Sequence, residues 1–177
     1  SEAVKQADIV VFAIPSAFVK SVLLELMPGA LDGKIVCSAI KGIIPDENMI
    51  VGEYLRDVMG IPENNIVVIT GPCHAEEIAL ERLSFLTVAA QEKETASVVA
   101  ETLKNHYVRC TLSKDLYGTE YAAVMKNIYA IAAGMYHGLG YGDNFQAVLM
   151  SNAAREMKRF MNAVSEQKVN INKSAYL

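Results

Sequence analysis

Residues 8–27 read DIVVFAIPSAFVKSVLLELM. A continuous β-branched run over 8–14 gives way to Pro15 and Ser16, and then to apolar residues at helical spacing. A short apolar run without alternation reads as a strand buried on both faces, and the Pro-Ser pair as the opening of a helix. The pairing repeats. KIVCSAI (34–40) is a second buried strand, and PDENMIVGEYLRDVMG (45–60) a helix with acids in its first turn and Gly60 stopping it. NIVVIT (65–70) is a third strand, and SFLTVAA (84–90), KETASVVAETLKN (93–105) and HYVRCTLS (106–113) add strand, helix and strand. Continuous apolar strands are what a parallel sheet covered on both faces requires, and the alternation with helices points the same way.

After residue 113 the strands cease. DLYGTEYAAVMKNIYAIAAGMYHGL (115–139) and NFQAVLMSNAAREMKRFMNAVSEQK (144–168) are helical stretches separated by a turn around GYGDN. The expected architecture is thus α/β over residues 1–113 and all-helical over 114–177. The opening without Met and the close at NINKSAYL read as part of a longer protein.

The totals narrow the function. With 177 residues, 52% hydrophobic and 20% charged, the chain reads as an ordinary globular protein, long enough for one substantial core or for one domain plus a fragment of another. A net charge of −4 gives no support to nucleic-acid binding, so an anionic ligand would be met by a few local cations. No apolar run reaches the roughly 20 residues of a membrane span. Three widely spaced cysteines make no disulfide framework, which points to the cytoplasm; Cys37 and Cys110, in strand-like stretches, read as buried free thiols.

In an open α/β sheet, ligands bind beyond the carboxyl ends of the strands. Three such ends are AIPSAF, IKG and TGPCHAEE. Lys41 follows a buried strand directly, though a lone lysine beside glycine is also what a surface turn carries. Gly71 and Pro72 precede a helix start whose N–H groups could take an anion, or Glu76 and Glu77 could simply complement the helix dipole. Cys73 and His74 are sequence neighbours with no further ligand set and read as structural. His106 and His137 have no identifiable partner and read as ordinary surface or core residues.

The unusual residue is Lys126, the one cation within residues 120–142. Its helical neighbours at i±3, i±4 and i±7 are Thr119, Ala122, Ala123, Tyr129, Ala130 and Ala133, a trough of mostly small side chains. The bulkier Met125, Ile128 and Ile131 turn elsewhere. Either a ligand enters the trough, or a second helix packs closely there while the lysine reaches past it to water. Desolvation would favour the neutral amine, which suits a general acid or base for a carbonyl–alcohol pair.

Together ADIVVFAIPS, IKG, TGPCHAEE, MKNIYAIAAGMYHGLGYGDN and the REM at 155–157 resemble the NAD(P)-dependent glycerol-3-phosphate dehydrogenase family. The resemblance runs over nearly the whole chain. It implies a partial Rossmann-type, doubly wound parallel sheet followed by the start of a helical substrate domain, with NAD or NADP as cofactor. It implies reduction of dihydroxyacetone phosphate to sn-glycerol 3-phosphate, and the reverse, for phospholipid synthesis. By the same resemblance Lys126 matches the catalytic lysine that exchanges a proton with the carbonyl oxygen, and Asn127 helps position substrate. Lys41 matches a residue near both cofactor and substrate, Gly71 and Cys73 match substrate contacts, and Ala75 a cofactor contact. Pro15 and Phe18 match the segment lying against the dinucleotide.

Departures are visible. Cys73 stands where the family usually has Ser or Thr, and SNAAREM places Asn152 where many members have arginine. The glycine-rich fingerprint and the later helical segment with the phosphate grip are absent from these residues. The 177-residue piece alone is therefore expected to bind cofactor poorly and turn over little. Two rival readings stand beside this one: a dehydrogenase of the same plan acting on another hydroxy or sugar acid, and a non-catalytic module whose helices 115–165 dimerise while Lys126 snorkels. An isologous homodimer through the helical part is expected on the enzyme reading also.

Overall fold

The computed structural model describes residues 2–164. A short helix α1 (Glu2–Gln6) leads into strand β1 (Ile9–Phe12), a 3-10 turn (Ser16–Phe18) and helix α2 (Val19–Leu24). Strand β2 (Ile35–Ser38) is followed by the two-residue strands β3 (Ile43–Ile44) and β4 (Met49–Ile50) and helix α3 (Val51–Asp57). Then come β5 (Ile66–Thr70), α4 (Ala75–Ala79), β6 (Ser84–Ala89), α5 (Lys93–Leu103) and β7 (Val108–Ser113). Two long helices close the order, α6 (Leu116–Gly138) and α7 (Asp143–Val164). The expected helix end at 168 lies outside the described residues.

The main sheet has five strands in the order β1-β2-β5-β6-β7. β1, β2 and β5 are parallel, with Val10 opposite Val36 and Val36 opposite Ile66. β6 then runs antiparallel to β5, Ile69 facing Val88, and β7 runs parallel to β6. The sheet is parallel-dominated rather than uniformly parallel. The cause is the connection after β5, whose helix α4 has only five residues. Such a helix rises about 7.5 Å, far short of the roughly 17 Å of a strand. The chain turns back beside β5 instead of crossing over the sheet.

The central strands β2 and β5 are covered on both faces, which is why they are apolar nearly throughout, whereas Val11 of β1 and Phe85 of β6 are 48% and 47% exposed. Val36 and Val68 face Val51, Tyr54 and Leu55 of α3 and Leu116 of α6, while Cys37, Val67 and Ile69 face Ala96, Val99 and Ala100 of α5. Successive residues point to opposite sides of a strand, so neither set can be polar. Beyond the sheet, Ala122 and Met125 of α6 pack on Met157 and Met161 of α7.

The helix expected over 45–60 begins only at Val51. Residues 43–50 form a small hairpin, Ile43 opposite Ile50, because Asp46 (φ 69°) and Asn48 (φ 53°) adopt the left-handed conformation. Aspartate and asparagine tolerate that conformation better than other side-chain-bearing residues. The acids that read as a helix first turn are turn residues, and Glu47 pairs with Lys20 at 2.5 Å.

α3 and α6 meet unusually closely. A Cβ on Gly52 would lie 2.8 Å from Glu120 Oε2 and 2.9 Å from Leu116 Cδ2. Gly52→Ala is therefore expected to cost about 1–3 kcal/mol through overpacking. In urea the midpoint should fall with the slope unchanged; an unmoved midpoint would show that the junction has slack.

Candidate active site

The loops at the carboxyl ends of β1 and β2 touch. Gly42 has φ +148°, and a Cβ there would come within 2.7 Å of Ser16 Oγ, so the IKG turn lies directly against the turn opened by Pro15. Pro15, with φ −60°, sets up the 3-10 turn that leaves Phe18 57% exposed. Lys41 is exposed on the second of these loops. An apolar ring, a cation and two closely nested turns make an open ledge suited to a ligand with a flat apolar part and an anionic part.

At the end of β5, Gly71 has φ +145° and sits so close to β6 that an added Cβ would be 2.3 Å from the Phe85 carbonyl oxygen. Cys73 follows, half-buried, and His74 is the exposed N-cap residue of α4, with Ala75 exposed at its first position. His74 makes no side-chain capping bond, and it is more exposed than Cys73. Glu76 and Glu77 lie in the first turn of α4.

α6 packs against β5, β6 and α3 and carries Lys126 and Asn127. Asp115 caps it, accepting a hydrogen bond from the Gly118 N–H at 2.9 Å. The trough around Lys126 is closed on one side only. Thr119, Ala122 and Ala123 are buried, Tyr129 and Ala133 are half-buried, and Ala130 is exposed. Lys126 is half-buried rather than enclosed, and Asn127 is exposed. Of the bulky neighbours, Met125 turns into the α7 contact, while Ile128 and Ile131 are 60% and 67% exposed.

Other expectations are corrected in detail. Cys37 is fully buried, and burial pushes its thiol up to about 12, but Cys110 is only half-buried. His106 has neighbours: its Nε2 lies 3.7 Å from Glu81, and its ring meets Tyr107 edge-on. His137 is exposed in the last turn of α6. Among the described residues no cluster of three or more His, Cys, Asp or Glu could hold a metal ion, and no helix is long and apolar enough to cross a membrane. A cavity of about 390 Å³ lined by Leu23, Met27, Leu31, Met59 and Ile61 lies among the connections entering β2 and β5, at the opposite end of the strands.

A polar seam under α6 went unread in the sequence. Tyr117 donates to Glu63 Oε1 at 2.5 Å and receives a short hydrogen bond from Arg56. Tyr121 donates to Glu53 at 3.2 Å, and burial with that carboxylate raises its hydroxyl to about 12. The Glu120 carboxylate accepts the N–H groups of Val51 at 3.0 Å and Gly52 at 2.9 Å. An acid at the head of an apolar helix was the one available signal.

The family model for the N-terminal part of the NAD-dependent glycerol-3-phosphate dehydrogenases matches residues 1–96, and the model for their C-terminal part matches residues 115–177. The glycerol-3-phosphate dehydrogenase [NAD(P)+] of Streptococcus suis is 36% identical over 160 residues, covering 90% of this chain and 47% of that protein. That of Streptococcus sanguinis is 37% identical over 160 residues, covering 89% and 47%. The chain thus spans about half the length of these relatives. The dehydrogenase structure from Dunaliella salina superposes with a TM-score of 0.83 at 27% identity, over 97% of this chain and 29% of that one. The Coxiella burnetii glycerol-3-phosphate dehydrogenase gives a TM-score of 0.86 at 23% identity, over 98% and 53%, and speaks to the fold. With both family models aligned in order on one chain, this protein belongs to the NAD-dependent glycerol-3-phosphate dehydrogenase family.

Proposed function

We propose that the complete protein reduces dihydroxyacetone phosphate to sn-glycerol 3-phosphate with NADH or NADPH, and runs the reverse reaction, supplying glycerol phosphate for phospholipid synthesis. The observation that carries this reading is Lys126, a half-buried cation at the point where α6 leaves the core, in a chain of this family.

The dinucleotide, when bound, supplies or takes the hydride. Pro15, Phe18, Lys41 and Ala75 would hold it, and the ledge fits: Phe18 offers an apolar face, Lys41 a cation, and side-chain-free Gly42 lets the two turns close up. Lys41, Gly71, Cys73 and Asn127 would hold the substrate. Lys126 gives its ammonium proton to the carbonyl oxygen as negative charge develops there, and recovers a proton in the reverse direction. The small side chains beside it leave room for that oxygen, and the buried Thr119–Ala123 side excludes water from one flank of the amine.

We place the division between cofactor and substrate parts at 113/114, directly after β7 ends at Ser113 and two residues before α6 begins at Leu116. The protein is read as cytoplasmic and as a homodimer through its helical part, a reading supported by the exposed Ile128, Ile131, Met135 and Leu139 along α6.

The test is oxidation of NADH and of NADPH by the complete protein with and without dihydroxyacetone phosphate. Substrate-dependent oxidation with either cofactor is the expected result. No oxidation with both would overturn the reading.

A further inference from the structure

Glu120 is 1% exposed, the buried acid of α6. Its two oxygens take the backbone N–H groups of Val51 and Gly52, the first two residues of α3. The residue that should cap α3 from its own chain neighbourhood, Ile50, has no side chain able to do so. A helix start leaves its first N–H groups unsatisfied, and a carboxylate there meets both the hydrogen-bonding need and the dipole. Here the cap comes from a residue 69 positions away.

The contact is also a fixed point for α6. Two hydrogen bonds to adjacent N–H groups define both the distance and the rotation of the helix carrying the acceptor. Gly52 has no side chain, so α6 sits directly on it, and Leu116, one turn earlier on the same face, fills the remaining space. Lys126 stands six residues further along the same unbroken helix, about 9 Å along its axis and about a third of a turn round. A slip or twist of α6 at Glu120 therefore appears at Lys126.

We propose that Glu120 is a positioning residue for Lys126: by capping α3 from within α6 it sets the axial and rotational register in which the lysine is presented. This inference rests on the reading of Lys126 as the proton donor.

Glu120 is also poised to titrate. Burial is the largest influence and pushes its carboxyl up to about 8, with the nearby Glu53 adding to it, while the Gly52 and Val51 N–H groups pull it down. Glu53 faces it from α3 and is held by the hydroxyl of Tyr121 on α6; among the described residues no cation is paired with Glu120. The unfolded side chain ionises near 4.5. A group raised on folding contributes stability that is full below about 4.5 and is lost as pH rises through about 8.

The test compares wild type, Glu120→Gln and Glu120→Ala in the complete enzyme, with Lys126→Met alongside. Glutamine keeps the shape and one acceptor for the two N–H groups, so it should fold; its difference from wild type is greatest above about pH 8, where Glu120 is a carboxylate, and kcat is compared there. The expected result is a fall in kcat of about tenfold or more, since small misplacement of a reacting group is costly, with KM for the nicotinamide cofactor changed less than about twofold because the β1 and β2 loops are untouched. Wild type should lose stability relative to Glu120→Gln between about pH 4.5 and 8 and not beyond. Reaction of Lys126 with an amine reagent, followed by mass spectrometry, should change severalfold in both Glu120 variants. A kcat within about twofold of wild type in folded Glu120→Gln, with Lys126 labelled at the wild-type rate, overturns the inference. Retained activity in Lys126→Met separately overturns the reading of Lys126 as the proton donor, while the reductase activity itself stands. If the complete protein has no such activity, the labelling rate alone decides, and an unchanged rate overturns the positioning role.

Discussion

Lys126→Met in the complete enzyme is expected to lower kcat by about 10²–10⁴-fold, the usual worth of a positioned general acid, while the melting temperature stays near that of wild type. Methionine keeps the unbranched apolar stem and removes only the amine. Because Lys126 is half-buried and not enclosed, its loss leaves no buried hole. Lys126→Arg sharpens the result. Arginine preserves a positive charge but does not release its proton in this pH range. If the lysine acts by giving a proton, arginine should be nearly as inactive as methionine; if charge alone were enough, arginine would restore much of the rate. A non-catalytic helical module predicts the reverse pattern, with both variants folded and no function lost. Activity within twofold of wild type in Lys126→Met would remove the residue from the chemistry.

Gly71→Ala is the substitution expected to damage the fold most. The added Cβ would stand 2.3 Å from the Phe85 carbonyl oxygen, 3.1 Å from Leu86 Cα and 3.2 Å from Phe85 C. All three are backbone atoms of the neighbouring strand, so no side chain can swing aside. The φ of +145° adds its own cost for any residue with a Cβ. Together these come to about 2–6 kcal/mol, against a typical total stability of about 5–15 kcal/mol. Gly60→Ala is the comparison: its φ is +69° but nothing lies within 4 Å, so only the backbone cost of about 1–3 kcal/mol remains. A urea titration of both should separate them clearly. A Gly71→Ala protein within about 1 kcal/mol of wild type would mean that β5 and β6 can part freely. The result also bears on the site, because packing against β6 demands a glycine at 71 whether or not an anion binds there.

The five strands of the main sheet were readable as short, mostly apolar runs, and among the described residues no strand follows Ser113. The reversal at β6 was not readable, since a strand buried on both faces carries no mark of its direction. The hairpin at 43–50 was hidden by ambiguous chemistry: Asp46, Glu47 and Asn48 suit a helix start as well as a left-handed turn, and contact of Ile43 with Ile50 decided it. Around Lys126, helical spacing could place Thr119, Ala122 and Ala123 as its neighbours on α6, because those neighbours are local. It could not say that the flank beyond Tyr129 is open. Glu120 was missed for the same reason on a larger scale. Its burial is tolerable only because the start of α3 arrives beside it from far along the chain.

The single helix α6 spans two regimes. From Leu116 to Met125 it has eight buried residues, and from Ile128 onward its apolar side chains are largely in water. In this 177-residue chain, opening the first stretch would expose core, whereas opening the second would expose little that is not already wet. Amide hydrogen exchange should therefore be slow up to Met125 and quicken toward Gly138, with no break in the helix to mark the change. The step falls at Lys126 and Asn127. A homodimer through the helical part, as proposed above, would slow exchange along the outer half of α6 and carry that protection up to the two candidate site residues.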